Sequence, residues 1–155
     1  MKKLMLIISL IGLLLASSMA QAVESTTVAA PSFSHDGNKA VITITWVTAA
    51  DGSLASTTLL STSHLRGLQG WYLYAVETYP GGTAPTNAYV ITIKDSAGFD
   101  LAAGKIIGSA TVPAVAFCYQ AGGSFLPVFG NLVFALTGNI VNSATGTAKL
   151  FFVVQ

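Results

Sequence analysis

Lys39-Ala40-Val41-Ile42-Thr43-Ile44-Thr45-Trp46-Val47-Thr48 is the stretch on which the fold turns. Ile42, Ile44 and Trp46 fall on one side of an extended chain, and Val41, Thr43, Thr45 and Val47 on the other, because neighbouring side chains of a strand point to opposite faces. The residues before it, His35-Asp36-Gly37-Asn38, form a turn whose Asp-Gly pair supplies the positive φ a tight hairpin requires. The rest of the chain repeats this arrangement of short apolar runs set off by Gly, Pro, Asn and Asp.

Upstream, Ser25–Ser34 reads as a first strand weakened by Pro31. Downstream, Ala50-Asp51-Gly52-Ser53 is a turn, and Leu54–Ser61 alternates poorly. Ser63-His64-Leu65-Arg66-Gly67 breaks the pattern as a polar bend. Gly70–Tyr79 is a strand with Trp71, Leu73 and Ala75 on one face and Tyr72, Tyr74 and Val76 on the other. The segment from Pro80 to Pro85 cannot continue a ladder and is a loop. Ala88–Lys94 is a strand with Tyr89, Ile91 and Ile93 on one face, ended by the turn Asp95-Ser96-Ala97-Gly98. Asn131–Thr137 and Lys149–Val154 are later strands, with Gly138-Asn139 a turn and 142–147 the join between them. No stretch of ten residues has helical periodicity; 101–104 has room for one turn. About seven to eight short strands with frequent turns predict an all-β fold, an antiparallel β-sandwich.

The N-terminus carries an address. Lys2 and Lys3 precede the apolar run Leu4–Ala16, and Ala20-Gln21-Ala22 follows as a small-residue cleavage site. The run is shorter than the about 20 apolar residues of a spanning helix. No Cys stands after it to make a lipoprotein. The expected organisation is a signal peptide over 1–22 and one β-sandwich domain over 23–155, in the periplasm or outside the cell, with cell-surface association open.

Composition narrows the function. Residues 23–155 carry Lys39, Arg66, Lys94, Lys105 and Lys149 against Glu24, Asp36, Asp51, Glu77, Asp95 and Asp100, a net charge of −1. That excludes the basic patch that nucleic-acid binding needs. Charged residues make up 8% of the chain, against about 25% in soluble domains. Sparse charge weakens the repulsion that keeps molecules apart, so the chain is expected to associate with copies of itself or with another envelope or surface protein.

Chemistry-bearing patterns are few. His35 and His64 have no partner at metal-ligand spacing, and no G-x-S-x-G elbow is present, so no catalytic residue, metal ligand or cofactor is assigned. Asp95, Ser96, Gly98 and Asp100 form an oxygen-rich turn; calcium binding and a plain turn held by its own carboxylates both fit it. The lone Cys118 reads as a small buried residue or the site of an intermolecular disulfide.

Two surface readings remain. Residues 104–130 combine Gly104, Gly108, Pro113, Gly122, Gly123, Pro127 and Gly130 with many apolar side chains and almost no charge. A long apolar loop invites contact, and Ile106, Ile107, Val112, Phe117, Phe125, Leu126 and Phe129 are the candidate interface. The alternative for this segment is one or two irregular strands of the sandwich. Trp71, Tyr72 and Tyr74 form a candidate sugar-stacking platform, which requires exposed, coplanar rings.

Three segments carry a resemblance. They are Gly70–Asn87 with its Pro80-Gly81-Gly82-Thr83-Ala84-Pro85-Thr86 loop, Tyr89–Asp100, and Asn142-Ser143-Ala144-Thr145-Gly146-Thr147. In that order they resemble a family of small, mostly uncharacterised β-rich proteins encoded by tailed phages and related bacterial elements. The resemblance spans residues 40–155 and implies a virion or assembly role, with no activity to carry over. The chain departs from that family in its export signal and its more apolar 104–130 segment.

The expectation is an exported, non-enzymatic structural or adhesive subunit that self-associates through apolar surface and strand edges, with Lys149–Val154 a candidate for exchange between copies. A pilin of the chaperone–usher kind usually has a Cys pair that is missing here. A glycan-binding module is the alternative, and a small outer-membrane barrel of about eight 9–11-residue strands is a third reading.

Overall fold

The computed structural model describes residues 23–118 and 125–154. The expected signal segment 1–22 lies outside the described residues. Among the described residues, ten strands and one short helix follow in the order β1 (Ser25–Val28), β2 (Ser32–Phe33), β3 (Lys39–Val47), β4 (Thr57–Thr58), α1 (Thr62–Leu68), β5 (Tyr72–Pro80), β6 (Val90–Lys94), β7 (Ile106–Ile107), β8 (Ala114–Phe117), β9 (Val133–Thr137) and β10 (Thr145–Val153).

They form two antiparallel sheets. The first has the order β1-β3-β10-β5-β8, with β2 also pairing β3; the second has the order β4-β9-β6-β7. From β3 to β10 the chain divides into the quartets 3-10-5-8 and 4-9-6-7, crossing between sheets at nearly every connection. This is the strand order of a jelly roll. The all-β sandwich expected from the strand pattern is therefore present. The barrel reading fails: both sheets are open, and only β3, β5 and β10 reach nine residues.

The alternation in β3 is realised as expected, with Ile42, Ile44 and Trp46 fully buried. From the other sheet Tyr89, Ile91, Ile93 and Phe134 meet them. Trp46 and Tyr89 touch edge to face, 5.7 Å between ring centres at 68°. Each ring lies on a glycine. A Cβ on Gly146 would overlap the Trp46 ring, and one on Gly108 the Tyr89 ring.

Four expectations change. Pro31 divides the first strand into β1 and β2, which pair with successive parts of β3. The polar bend is a helix, α1, capped by Ser61 Oγ accepting from the His64 N–H at 3.4 Å. At seven residues it is too short to show a period, and Leu68 anchors its end in the core. β10 starts at Thr145, because Thr145, Gly146 and Thr147 pair with both Val47–Thr45 and Pro80–Tyr79. Finally β5 contains a bulge. Phe152 opposes Leu73 and Phe151 opposes Ala75, leaving Tyr74 as the extra residue. The bulge shifts the alternation, so Leu73, Val76 and Thr78 are buried while Glu77 and Tyr79 share the outward side. Val76 is thus a core residue, not a companion of Tyr72 and Tyr74.

Candidate interaction surfaces

Residues 119–124 of the apolar 104–130 segment lie outside the described residues; the rest divide among three environments. Ile106 is 1% exposed and belongs to the core, so it is removed from the candidate interface. Its neighbour Ile107 faces solvent on the edge strand β7, as does Val112 in the following loop. β8, the other irregular strand of this segment, forms an edge of the first sheet. It alternates, with Ala116 packed on the core and Val115 and Phe117 more than half exposed on the outer face.

Phe125, Leu126 and Phe129 lie apart from β8, beside the 95–100 turn. Phe125 and Leu126 are half-buried and Phe129 is 61% exposed. The chain here runs alongside the start of β5: Val128 N–H donates to Trp71 O at 2.7 Å, and Gly70 N–H to Val128 O at 3.0 Å. Ser96 Oγ donates to Phe129 O at 3.2 Å, joining this segment to the turn. Between them lies a groove of about 380 Å³ lined by Asp95, Ser96, Ala97, Phe99, Leu126, Pro127 and Phe129. Phe99 was not singled out in the sequence because it stands alone between Gly98 and Asp100, yet at 66% exposed it forms one wall.

The carboxylates of this turn are engaged by backbone. Asp95 Oδ1 accepts from the N–H groups of Ala97 and Phe99, each at 2.9 Å. Asp100 Oδ1 accepts from Ile93 and Ala102, and Oδ2 from Gly104 at 2.7 Å. These are the Asx bonds of a self-held turn. Among the described residues no three His, Cys, Asp or Glu side chains converge as a metal site. Cys118 is buried under β8, and burial first, then the negative charge of Asp100, pushes its thiol up to about 12. Burial and a raised pKa both disfavour thiolate chemistry, so the small-buried-residue reading of Cys118 is the better supported one.

The aromatic residues of β5 do not form a flat platform with their neighbours. Trp71 is half-buried against the core and meets Phe33 edge-on, 5.8 Å at 75°. Tyr74 meets Phe151 edge-on, 6.1 Å at 60°. Tyr72 is half-buried beside Pro127. Further along the same outer face, Tyr79 O–H donates to Glu77 Oε2 at 2.6 Å, and Lys149 Nζ sits 5.1 Å from the Tyr79 ring centre. The hydrogen bond to Glu77 raises the Tyr79 pKa above its ordinary value. Glu77 and Lys149 are direct cross-strand partners.

No protein-family model and no curated protein matches the chain. Among solved structures it is similar to a chain of the "Cyanophage Pam1 capsid asymmetric unit", with a TM-score of 0.40 and 12% identity, over 90% of this chain and 96% of that one. The class of fold, a two-sheet jelly roll, rests on the strand ladders themselves.

Proposed function

We propose that residues 23–155 act outside the cytoplasm as a non-enzymatic structural or adhesive subunit that binds copies of itself. The observation that carries this is the apolar exposure on β7, the loop after it and β8, together with a separate apolar patch at Phe129 beside the 95–100 turn. Ile107, Val112, Val115, Phe117 and Phe129 are each more than half exposed there, in a chain with only 8% charged residues. Exposed apolar area on this scale is characteristic of interaction surfaces. Strand edges at β8 and β7 offer further pairing sites.

The test begins with the full chain expressed from Met1 in a bacterial host. Intact mass of the exported product is expected to start at Val23. Light scattering after size exclusion at micromolar concentration is expected to give a multiple of the monomer mass. A product retained in the cytoplasm with residues 1–22 intact overturns the export reading, and a monomer at all concentrations overturns self-association. Glycan binding is the second reading, supported by Tyr72 and Tyr74 on the outer side of β5. Binding on a glycan array that is lost in Tyr74→Ala would replace the structural role with that one.

A further inference from the structure

The first sheet turns toward solvent a face that has few charges and many large side chains. By register, one row across β8, β5, β10 and β3 runs Phe117, Ala75 with Tyr74, Phe151 and Val41. The next row runs Val115, Glu77, Lys149 and Thr43. Among the described residues, Glu77 and Lys149 are the charged side chains inside this face; Lys39 stands at its corner, at the start of β3. Outward positions of sandwich sheets are ordinarily polar. Aromatic enrichment with charge depletion is instead the composition of a buried interface core.

We infer that this face packs against the same face of a second copy, about a two-fold axis running along the strands between β5 and β10. The inference rests on the self-association proposed above and places its contact on the outer face of the first sheet, which shares β8 with the apolar exposure described there. Charge selects the axis. Two identical faces stacked on each other are related by a two-fold axis lying between them, either along the strands or across them. An axis across the strands through the charged row sets Lys149 against Lys149 and Glu77 against Glu77. An axis along the strands, midway between β5 and β10, sets Lys149 of each copy against Glu77 of the other. The same rotation brings Phe117 over Val41 and Phe151 over Tyr74, so apolar meets apolar in the neighbouring row. An isologous contact requires this self-complementarity. With strands about 4.8 Å apart and about 3.3 Å per residue, the nine residues each of β3, β10 and β5 and the four of β8 present about 500 Å². That is of the order of the about 800 Å² each partner contributes to a specific interface.

The experiment is sedimentation equilibrium on residues 23–155 and on the variants Glu77→Lys and Lys149→Glu, with circular dichroism melts to confirm folding. The wild type is expected to dimerise, and each reversal to weaken the dimer by at least about a hundredfold, since each places like charges opposite twice. Mixed in equal amounts, the two variants are expected to recover a one-to-one heterodimer, because every opposed pair is then of opposite sign. A merely structural role for either residue would not respond to mixing. Phe117→Asp, at the exposed edge strand, is expected to give the same loss and serves should either reversal fail to fold. If the wild type dimerises and the variants do so equally well, or the mixture recovers nothing, the assigned face is wrong while self-association stands. If the wild type is a monomer, both readings fall.

Discussion

Asn139 Nδ2 donates to the carbonyl oxygen of Gly52 at 2.9 Å, joining two turns that lie 87 residues apart in the chain. The same amide donates to Val141 O at 3.1 Å, and its Oδ1 accepts from the Thr86 N–H at 2.8 Å. One side chain thus satisfies backbone groups from three loops at one end of the sandwich. Leaving buried polar groups unpaired costs about 1–3 kcal/mol each. Asn139→Ala is therefore expected to lower stability by about 3 kcal/mol in urea unfolding, and Asn139→Asp, which loses both donated bonds, by a similar amount. A change within about 0.5 kcal/mol would mean that these loops are held by other contacts.

Among the described residues, two buried polar side-chain atoms are unpaired, Trp46 Nε1 and the Tyr89 hydroxyl. Thr78 exerts a small downward pull on the Tyr89 pKa, but burial outweighs it and no full hydrogen bond forms. Removing an unsatisfied buried hydroxyl relieves its desolvation cost, so Tyr89→Phe is expected to be neutral or to stabilise by about 1 kcal/mol. Gly146→Ala is expected to do the opposite, costing about 2 kcal/mol or more as the new methyl forces the Trp46 ring from its seat. Thermal melts of the two variants read both signs.

Alkaline pH is expected to destabilise the fold. The folded Cys118 thiol ionises at about 12, against an ordinary value of 9.0. Between these values the unfolded chain has lost the proton and the folded chain still binds it, so stability falls by about 1.4 kcal/mol per pH unit. Below pH 9 both states bind the proton and the contribution is constant. Urea midpoints from pH 8 to 11 for the wild type and Cys118→Ala measure this. Burial raises Tyr89 in the same direction, so Tyr89→Phe measured alongside separates the two. Equal slopes in wild type and Cys118→Ala would show that the thiol is not the group responsible.

The groove between the 95–100 turn and residues 125–129 supplies a surface prediction. Phe99→Ser and Phe129→Ser together are expected to reduce the binding of an apolar fluorescent dye several-fold while changing stability by less than about 0.5 kcal/mol each, as exposed positions usually do. Undiminished dye fluorescence would place the accessible apolar surface elsewhere.

The legible parts of this chain are those where alternation is unbroken. β3 and β6 follow their period of two from end to end, and their buried residues are the expected ones. β5 was legible as a strand but not in its facing, because a bulge at Tyr74 has no signature in side-chain chemistry; it is visible only against β10. α1 was hidden by its length, with Leu68 anchoring its end and a capping serine that reads equally well as loop. The turn at Asp95–Asp100 was recognised as oxygen-rich, but whether its carboxylates face a ligand or their own backbone depends on distances. The candidate interface mixed Ile106 with Ile107 because two adjacent isoleucines on an edge strand face opposite ways, and the surrounding glycines conceal the phase.

β10 lies between β3 and β5 and pairs with both along its length, its register with β5 shifting once at the Tyr74 bulge. Its place at the centre of the six-stranded sheet has a consequence for how the protein is made. Until residues 145–153 have been synthesised, β3 and β5 have no strand between them and the first sheet exists only as separate fragments. Closing the first sheet therefore depends on pairings between segments far apart in the chain, the kind of contact that forms slowly.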